Sequence, residues 1–173
     1  MGSVSRDVVR GASCSVLVVR GTPGTVRHVV IGVDGSDRAR KAVELVAGLA
    51  PGRGARATVV QVLEPVRVPS LALLPAGVRD ALSREAAALH ARRLQAAERQ
   101  LDAAVSRLGK RWRADSVVRI GVPSYEVLRV AQERQADLVV VGARGTGGLE
   151  RLLLGSVAES VLERSPVSVL VTR

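Results

Sequence analysis

Apolar residues in this chain gather in short, nearly consecutive runs separated by longer amphipathic stretches. The runs are Val26 to Val33, Ala55 to Leu63, Ser116 to Ile120, Leu138 to Val141 and Val167 to Val171. Each is short for a helix and lacks strict polar alternation, so each reads as a strand of a parallel sheet covered on both faces. The intervening stretches carry helical spacing. Ser36 is a reasonable N-cap for a helix reaching Ala50, with Ala39, Val43, Val46 and Ala50 on one face, stopped by Pro51-Gly52. A long helix is predicted from Ala76 to Leu108, turning Leu94, Leu101, Val105 and Leu108 to the sheet and ending at Gly109. Pro123 opens another helix with Ser124, Val127, Leu128 and Ala131 as its inner stripe. Gly155-Ser156 starts the last, in which Val157, Val161 and Leu162 share a face and which Pro166 breaks. Glu64 to Pro75 holds three prolines and reads as a loop above the sheet. Five strand–helix alternations predict an α/β domain with a parallel sheet and right-handed crossovers.

The stretch between the last two strands carries the candidate chemistry. Gly142 ends a strand, Gly145, Gly147 and Gly148 follow, and Gly155-Ser156 opens a helix. Four glycines in the seven residues from Gly142 to Gly148 cost more backbone entropy than a plain turn requires. Free N–H groups in such a loop and at a helix start form an anion site. No G-K-[ST] follows, so this is not a Walker A loop. Glu150 stands where a dinucleotide fingerprint needs its third glycine.

The spacing Gly142-x2-Gly145-x9-Gly155-Ser156 resembles the nucleotide-binding signature of the universal stress protein family. The resemblance covers Val26 to Arg173 and implies an open five-stranded parallel sheet of order 3-2-1-4-5, with helices on both faces, of the adenine nucleotide alpha hydrolase-like kind. With that order the strand direction reverses between strands one and four, where open α/β sheets bind ligands. Strand one ends at Val33-Asp34 and strand four at Gly142, so topology and glycine motif converge on one crevice. The resemblance implies ATP as ligand, with Mg2+ accompanying the phosphates. Asp34 would meet adenine, ribose or the magnesium, and its alternative reading is an Asx-type turn into the first helix. The backbone of Val62 would meet the adenine edge and Gly142 the ribose. Gly145, Gly155, Ser156 and Val157 would hold phosphate, assisted by Arg144 and Arg151. Ala39 departs from the family pattern, which often has serine there. No nucleophile–base pair or carboxylate cluster is evident, and the expectation is a binder rather than an enzyme.

Residues 1–20 stand outside the domain at 26–173, joined through the polar segment 21–25. Aligned without gaps, Gly2–Arg20 matches Gly155–Arg173 at nine of nineteen positions, among them Gly-Ser-Val and Ser-Val-Leu-Val. The segment is therefore expected to be the final helix and strand of a preceding copy of the same domain. Family members commonly dimerise by pairing their fifth strands, which puts a homodimer at Val167–Val171. An uncovered apolar edge is a liability, and Ser15–Val19 is expected to form a sixth, antiparallel strand there, in cis or swapped, against the rival of a disordered tail. In cis the connection must cross about three strand spacings, roughly 14 Å, and seven linker residues reach roughly 24 Å.

Composition narrows the choice further. At 173 residues the chain can bury a sizeable core. Its apolar content is aliphatic, with no Phe, one Trp and one Tyr. The single cysteine, Cys14, excludes an intrachain disulfide, and His28 and His90 read as structural or surface residues. No run approaches the ~18 apolar residues of a membrane span, and no signal peptide is evident, so a soluble cytoplasmic protein is expected. The net charge of +10 comes almost wholly from arginine, much of it between Arg79 and Arg113. With Trp112 alone among these arginines there is no stacking platform, and nucleic-acid contact is expected to be nonspecific. The leading reading is an ATP-binding stress or signalling module. Its alternatives are a nucleotide-independent dimerisation scaffold of the same fold and a polyanion binder.

Overall fold

Strands apolar on both faces must be sandwiched between helices, and the chain forms them in alternation. A computed structural model describes residues 2–21, 24–65, 75–145 and 154–173. Its elements are α1 (Ser3–Gly11), β1 (Val16–Val18), β2 (His28–Val33), α2 (Asp37–Gly48), β3 (Arg56–Leu63), α3 (Ala76–Leu108), β4 (Arg113–Ile120), α4 (Pro123–Glu133), β5 (Leu138–Gly142), α5 (Ser156–Arg164) and β6 (Ser168–Thr172). Most of the predicted loop Glu64 to Pro75 and the glycines Gly147 and Gly148 lie outside the described residues, as does Arg151.

The six strands form one sheet in the order β1-β6-β5-β2-β3-β4. Strands β2 to β6 are parallel, and β1 runs antiparallel to β6. Counted from β2, the parallel strands alone stand in the order 3-2-1-4-5, and the N-terminal segment adds the sixth in cis. Its strand is shorter than the expected Ser15–Val19.

Alternation along the buried strands divides the core into two layers. Val29 and Ile31 of β2 face α2 and α3, where they meet Val43, Val46, Leu101 and Leu108. Val30 faces the other way, into a layer with Val127, Val130, Val161 and Leu162. Valine suits these strands because its branched Cβ is stiff and packs on a pleated surface. Val9 of α1 is buried in the second layer at 1% exposure, so the N-terminal segment is part of the core.

Local signals account for most element ends. Ser36 accepts the Ala39 N–H on its Oγ at 3.1 Å, capping α2. Pro123 sits in the first turn of α4, and Gly109 takes a positive φ of 65° at the end of α3. Only the C-terminal half of α3 is buried, through Ala97, Leu101, Ala104 and Leu108. Its N-terminal turns carry exposed arginines, as the charge pattern suggested.

Two expectations need correction. Ala50 lies beyond the end of α2 and is exposed, because the helix stops at Gly48 with Leu49 as its C-cap. Strand β4 begins at Arg113 rather than Ser116, since Arg113, Ala114 and Asp115 pair with Arg56, Ala57 and Thr58. An edge strand tolerates such charges and is protected by them. Trp112, in the basic run, is 5% exposed and packs in the core.

His28 is buried at the start of β2, at the opposite end of the sheet from the glycine loop. Its Nε2 lies 2.9 Å from Thr58 Oγ1, which donates to Asp115 Oδ1 at 2.6 Å. Burial, and after it the Arg56 charge, lowers the His28 pKa below its ordinary value. The folded state therefore resists a proton that the unfolded chain accepts near pH 6.5. This stabilising contribution is fully present above about pH 6.5 and is lost as pH falls from there towards the lowered folded pKa. His28→Gln is expected to flatten the pH dependence of unfolding in that window, measured by urea titration across pH 5 to 8.

Candidate functional site

The sheet's strand order decides where a cavity can form. Chain connections leave β2 towards β3 and β5 towards β6, so the crossovers diverge and leave a crevice over the carboxyl ends of β2 and β5. A cavity of about 840 Å³ lies there. The nine predicted residues that are described all line it: Val33, Asp34, Val62, Gly142, Arg144, Gly145, Gly155, Ser156 and Val157. Four elements separated by most of the chain thus converge on one volume.

Asp34 follows β2 directly. Its Oδ1 accepts the Ser36 N–H at 3.0 Å, so the Asx turn into α2 is formed. Gly35 takes φ 79°, in the left-handed region, to make that turn. The turn uses one carboxylate oxygen, and Oδ2 is aimed across the crevice at the glycine loop. A Cβ on Gly145 would lie 2.5 Å from this oxygen. Only a glycine lets the loop come so close to the carboxylate.

The far wall is the head of α5. Ala143 donates its N–H to Thr172 O at 2.8 Å, and Gly155 donates its own to Ala143 O at 2.7 Å. Gly155 therefore closes the loop with its amide rather than presenting it to the cavity. The amides of Ser156, Val157 and Ala158 belong to the first turn of α5 and have no acceptor within the helix. All three residues line the cavity, and the helix dipole adds partial positive charge there.

Sequence reasoning missed the wall contributed by β3 and α3. Gln61, Arg93 and Gln100 line the cavity as well. Gln61 donates from Nε2 to Gln100 Oε1 at 2.8 Å, and Arg93 donates to Glu64 O at 3.1 Å. Gln61 is 7% exposed, and its Oε1 is buried without a partner. Two signals were present: a lone amide inside the apolar run Val59 to Leu63, and the helical spacing of Arg93, Ala96, Ala97 and Gln100 beside the apolar stripe of α3.

Among the described residues, no group of three His, Cys, Asp or Glu is arranged to hold a metal ion. Among them also, no helix is long and apolar enough to cross a membrane.

The family model for the universal stress protein family matches residues 25–173. The chain belongs to that family. A universal stress protein of Thermus aquaticus is 33% identical over 147 residues, covering 85% of this chain and 98% of the relative. One from Mycobacterium tuberculosis is 35% identical over 179 residues, covering 100% of this chain and 56% of the relative. The chain thus spans little more than half the length of that mycobacterial relative. Among solved structures, the hypothetical protein MJ0577 superposes with a TM-score of 0.72 at 19% identity, covering 86% of this chain and 96% of the other. A universal stress protein in complex with cAMP gives 0.58 at 25% identity, covering 87% and 98%. The Archaeoglobus fulgidus protein in complex with dAMP gives 0.59 at 22%, covering 86% and 98%.

The orphaned Gln61 Oε1 leads to a test of the missed wall. Replacing Gln61 by Leu removes one hydrogen bond and one buried unpaired acceptor, which offset each other to within about 1 kcal/mol. Gln61→Leu is expected to match or exceed wild-type stability in urea unfolding. Gln61→Ala, which leaves a cavity, is expected to lose about 1–3 kcal/mol.

Proposed function

We propose that this chain binds ATP, with Mg2+ on its phosphates, in the cavity between β2, β5 and the head of α5. The observation that carries the reading is the meeting of two independent features: the first-turn amides of α5, which have no acceptor within the helix, and a glycine whose missing side chain admits the Asp34 carboxylate. The amides of Ser156, Val157 and Ala158, with the Ser156 hydroxyl, would receive phosphate oxygens. Asp34 would turn Oδ2 to the ribose or to the magnesium, which prefers carboxylate and phosphate oxygens together. Val62 and Gln61 at the end of β3 would meet the base, and Gly142 would meet the sugar. Arg93 and Arg144 supply positive charge to the rim. The cAMP and dAMP complexes of other family members add support for an adenine nucleotide in this chain.

The makeup of the lining favours binding over turnover. Among the described residues its ionisable side chains are Asp34, Glu64, Arg93 and Arg144. A carboxylate already engaged in a turn and a second one at the cavity mouth do not form a nucleophile–base pair. We read the protein as a nucleotide-dependent module whose output is a change of state on binding.

The test is calorimetry with ATP and magnesium on the wild type and on Gly145→Val plus Gly155→Val. In the first, the new side chain meets Asp34; in the second, a Cβ would lie 3.2 Å from Ala143 O and from the Arg144 Cα. Saturable micromolar binding to the wild type, lost in a variant that keeps its circular dichroism, is the expected outcome. ATP at about one hundred times its Kd should also stabilise the wild type by about 2.7 kcal/mol. No binding to folded, nucleotide-free protein would leave the scaffold reading in front.

A further inference from the structure

The N-terminal segment meets the domain through a local two-fold arrangement. Residues 2–20 and 155–173 align without a gap, and each forms a helix followed by a strand. In the β1–β6 ladder, Leu17 stands opposite Leu170, its own counterpart in the alignment. Val16 opposite Val171 and Val18 opposite Val169 are then related by a half-turn. The side chains obey the same axis. Arg20 N–H donates to Ser168 Oγ at 3.1 Å, and Arg173 N–H donates to Ser15 Oγ at 3.4 Å. The Arg20 guanidinium donates to Leu162 O, and that of Arg173 to Val9 O at 2.6 Å. Arg6 pairs with Glu163 at 3.2 Å, and Arg10 pairs with Glu159. These contacts come in mated pairs, which is how two copies of one surface meet; the further bond from the Arg173 guanidinium to Arg10 O at 2.9 Å stands outside the pairs.

The charged positions break this symmetry in a way that bears on pairing. The counterparts of Arg6 and Arg10 in α5 are Glu159 and Glu163. If a second copy of α5–β6 took the place of α1–β1, Glu159 of each chain would face Glu163 of the other. Two ion pairs would become two like-charge pairs.

We propose that the α5–β6 face is coded for a heterotypic partner, the arginine-bearing segment 2–20 of this same chain, and rejects a second copy of itself. The apolar ladder and the arginine–carbonyl bonds would be the same in either pairing, so they give affinity without choice. The four charged positions make the choice. Their side chains are 33% to 43% exposed, so one pair by itself contributes little. Selectivity comes from the difference between two attractive and two repulsive contacts on the same frame. Nothing in this arrangement depends on a ligand in the cavity.

Full-length variants test the proposal by sedimentation velocity and by hydrogen exchange of the β6 amides. Wild type is expected not to self-associate through this face. Arg6→Glu/Arg10→Glu turns both pairs repulsive and should raise β6 exchange by about tenfold or more, while Glu159 and Glu163 keep the released face monomeric. Adding Glu163→Arg gives a homotypic pairing two Glu–Arg contacts, and that triple variant should dimerise with rising concentration. Adding both Glu159→Arg and Glu163→Arg instead should restore wild-type protection and the wild-type state. The milder Arg6→Gln/Arg10→Gln pair, with and without Glu163→Arg, repeats the comparison where charge reversal costs the fold. Dimerisation of the double variant, unchanged β6 protection in it, or a folded triple variant that stays monomeric would each overturn the proposal.

Discussion

The ladder between β2 and β5 is the contact on which the molecule depends. Val29 to Gly32 pair in parallel with Leu138 to Val141, joining strands that lie more than a hundred residues apart in the sequence. On either side of it the chain winds in opposite directions, so no crossover can cover the carboxyl ends of these two strands. The cavity is a consequence of that divergence and not of any one side chain. Both strands are deeply buried, and Gly32 tightens their seam: a Cβ there would lie 3.3 Å from side-chain methyls of Val127 and Val141. The same pairing that completes the core opens the crevice.

Much of this was legible in the sequence because the physical signals are local. Consecutive apolar runs bounded by glycine and proline identify buried strands, and the spacing of Leu94, Leu101, Val105 and Leu108 points to the inner face of a long helix, on which Leu101 and Leu108 are buried. The glycine motif and the switch point are separate signals, and they pointed to one place. What was not legible depended on contacts between distant parts of the chain. Asp115 reads as a loop residue until its strand is laid beside Thr58. His28 reads as either a structural or a surface residue until Thr58 and burial decide for the structural one. Gln61 was absorbed into an apolar run, although one amide among valines is the sort of exception that marks a cavity wall. Trp112 sits among charged residues in the sequence, and only the fold shows that its ring follows the core.

The two edges of the sheet are managed by different means. Strand β4 protects its outer side with Arg113, Asp115 and Arg119, and Arg119 is held by Glu133 of α4. Strand β6 carries the apolar run Val169 to Val171 with no charge among its residues and cannot be left bare. Strand β1 covers it and, at three residues, presents a far smaller edge of its own, with Arg20 just beyond. Internal repetition makes this cover complementary: a segment resembling α5–β6 fits against α5–β6 because an isologous surface is complementary to its own copy.

Helix α5 ties the edge to the cavity. Its first-turn amides face the crevice, and Glu159 lies in that same turn. A carboxylate near a helix N-terminus is favourable by itself, but it competes with an anion brought to the amides. Arg10 reaches Glu159 from α1 and neutralises it, so the segment that covers the edge also removes a negative charge from the head of the helix. A second α5 in that position would bring two more carboxylates instead. The charge pattern that selects the occupant of the edge is therefore also the one that suits an anion at the other end of the same two turns. Edge cover and the proposed anion site are parts of one electrostatic arrangement, set by which sequence lies against Glu159 and Glu163.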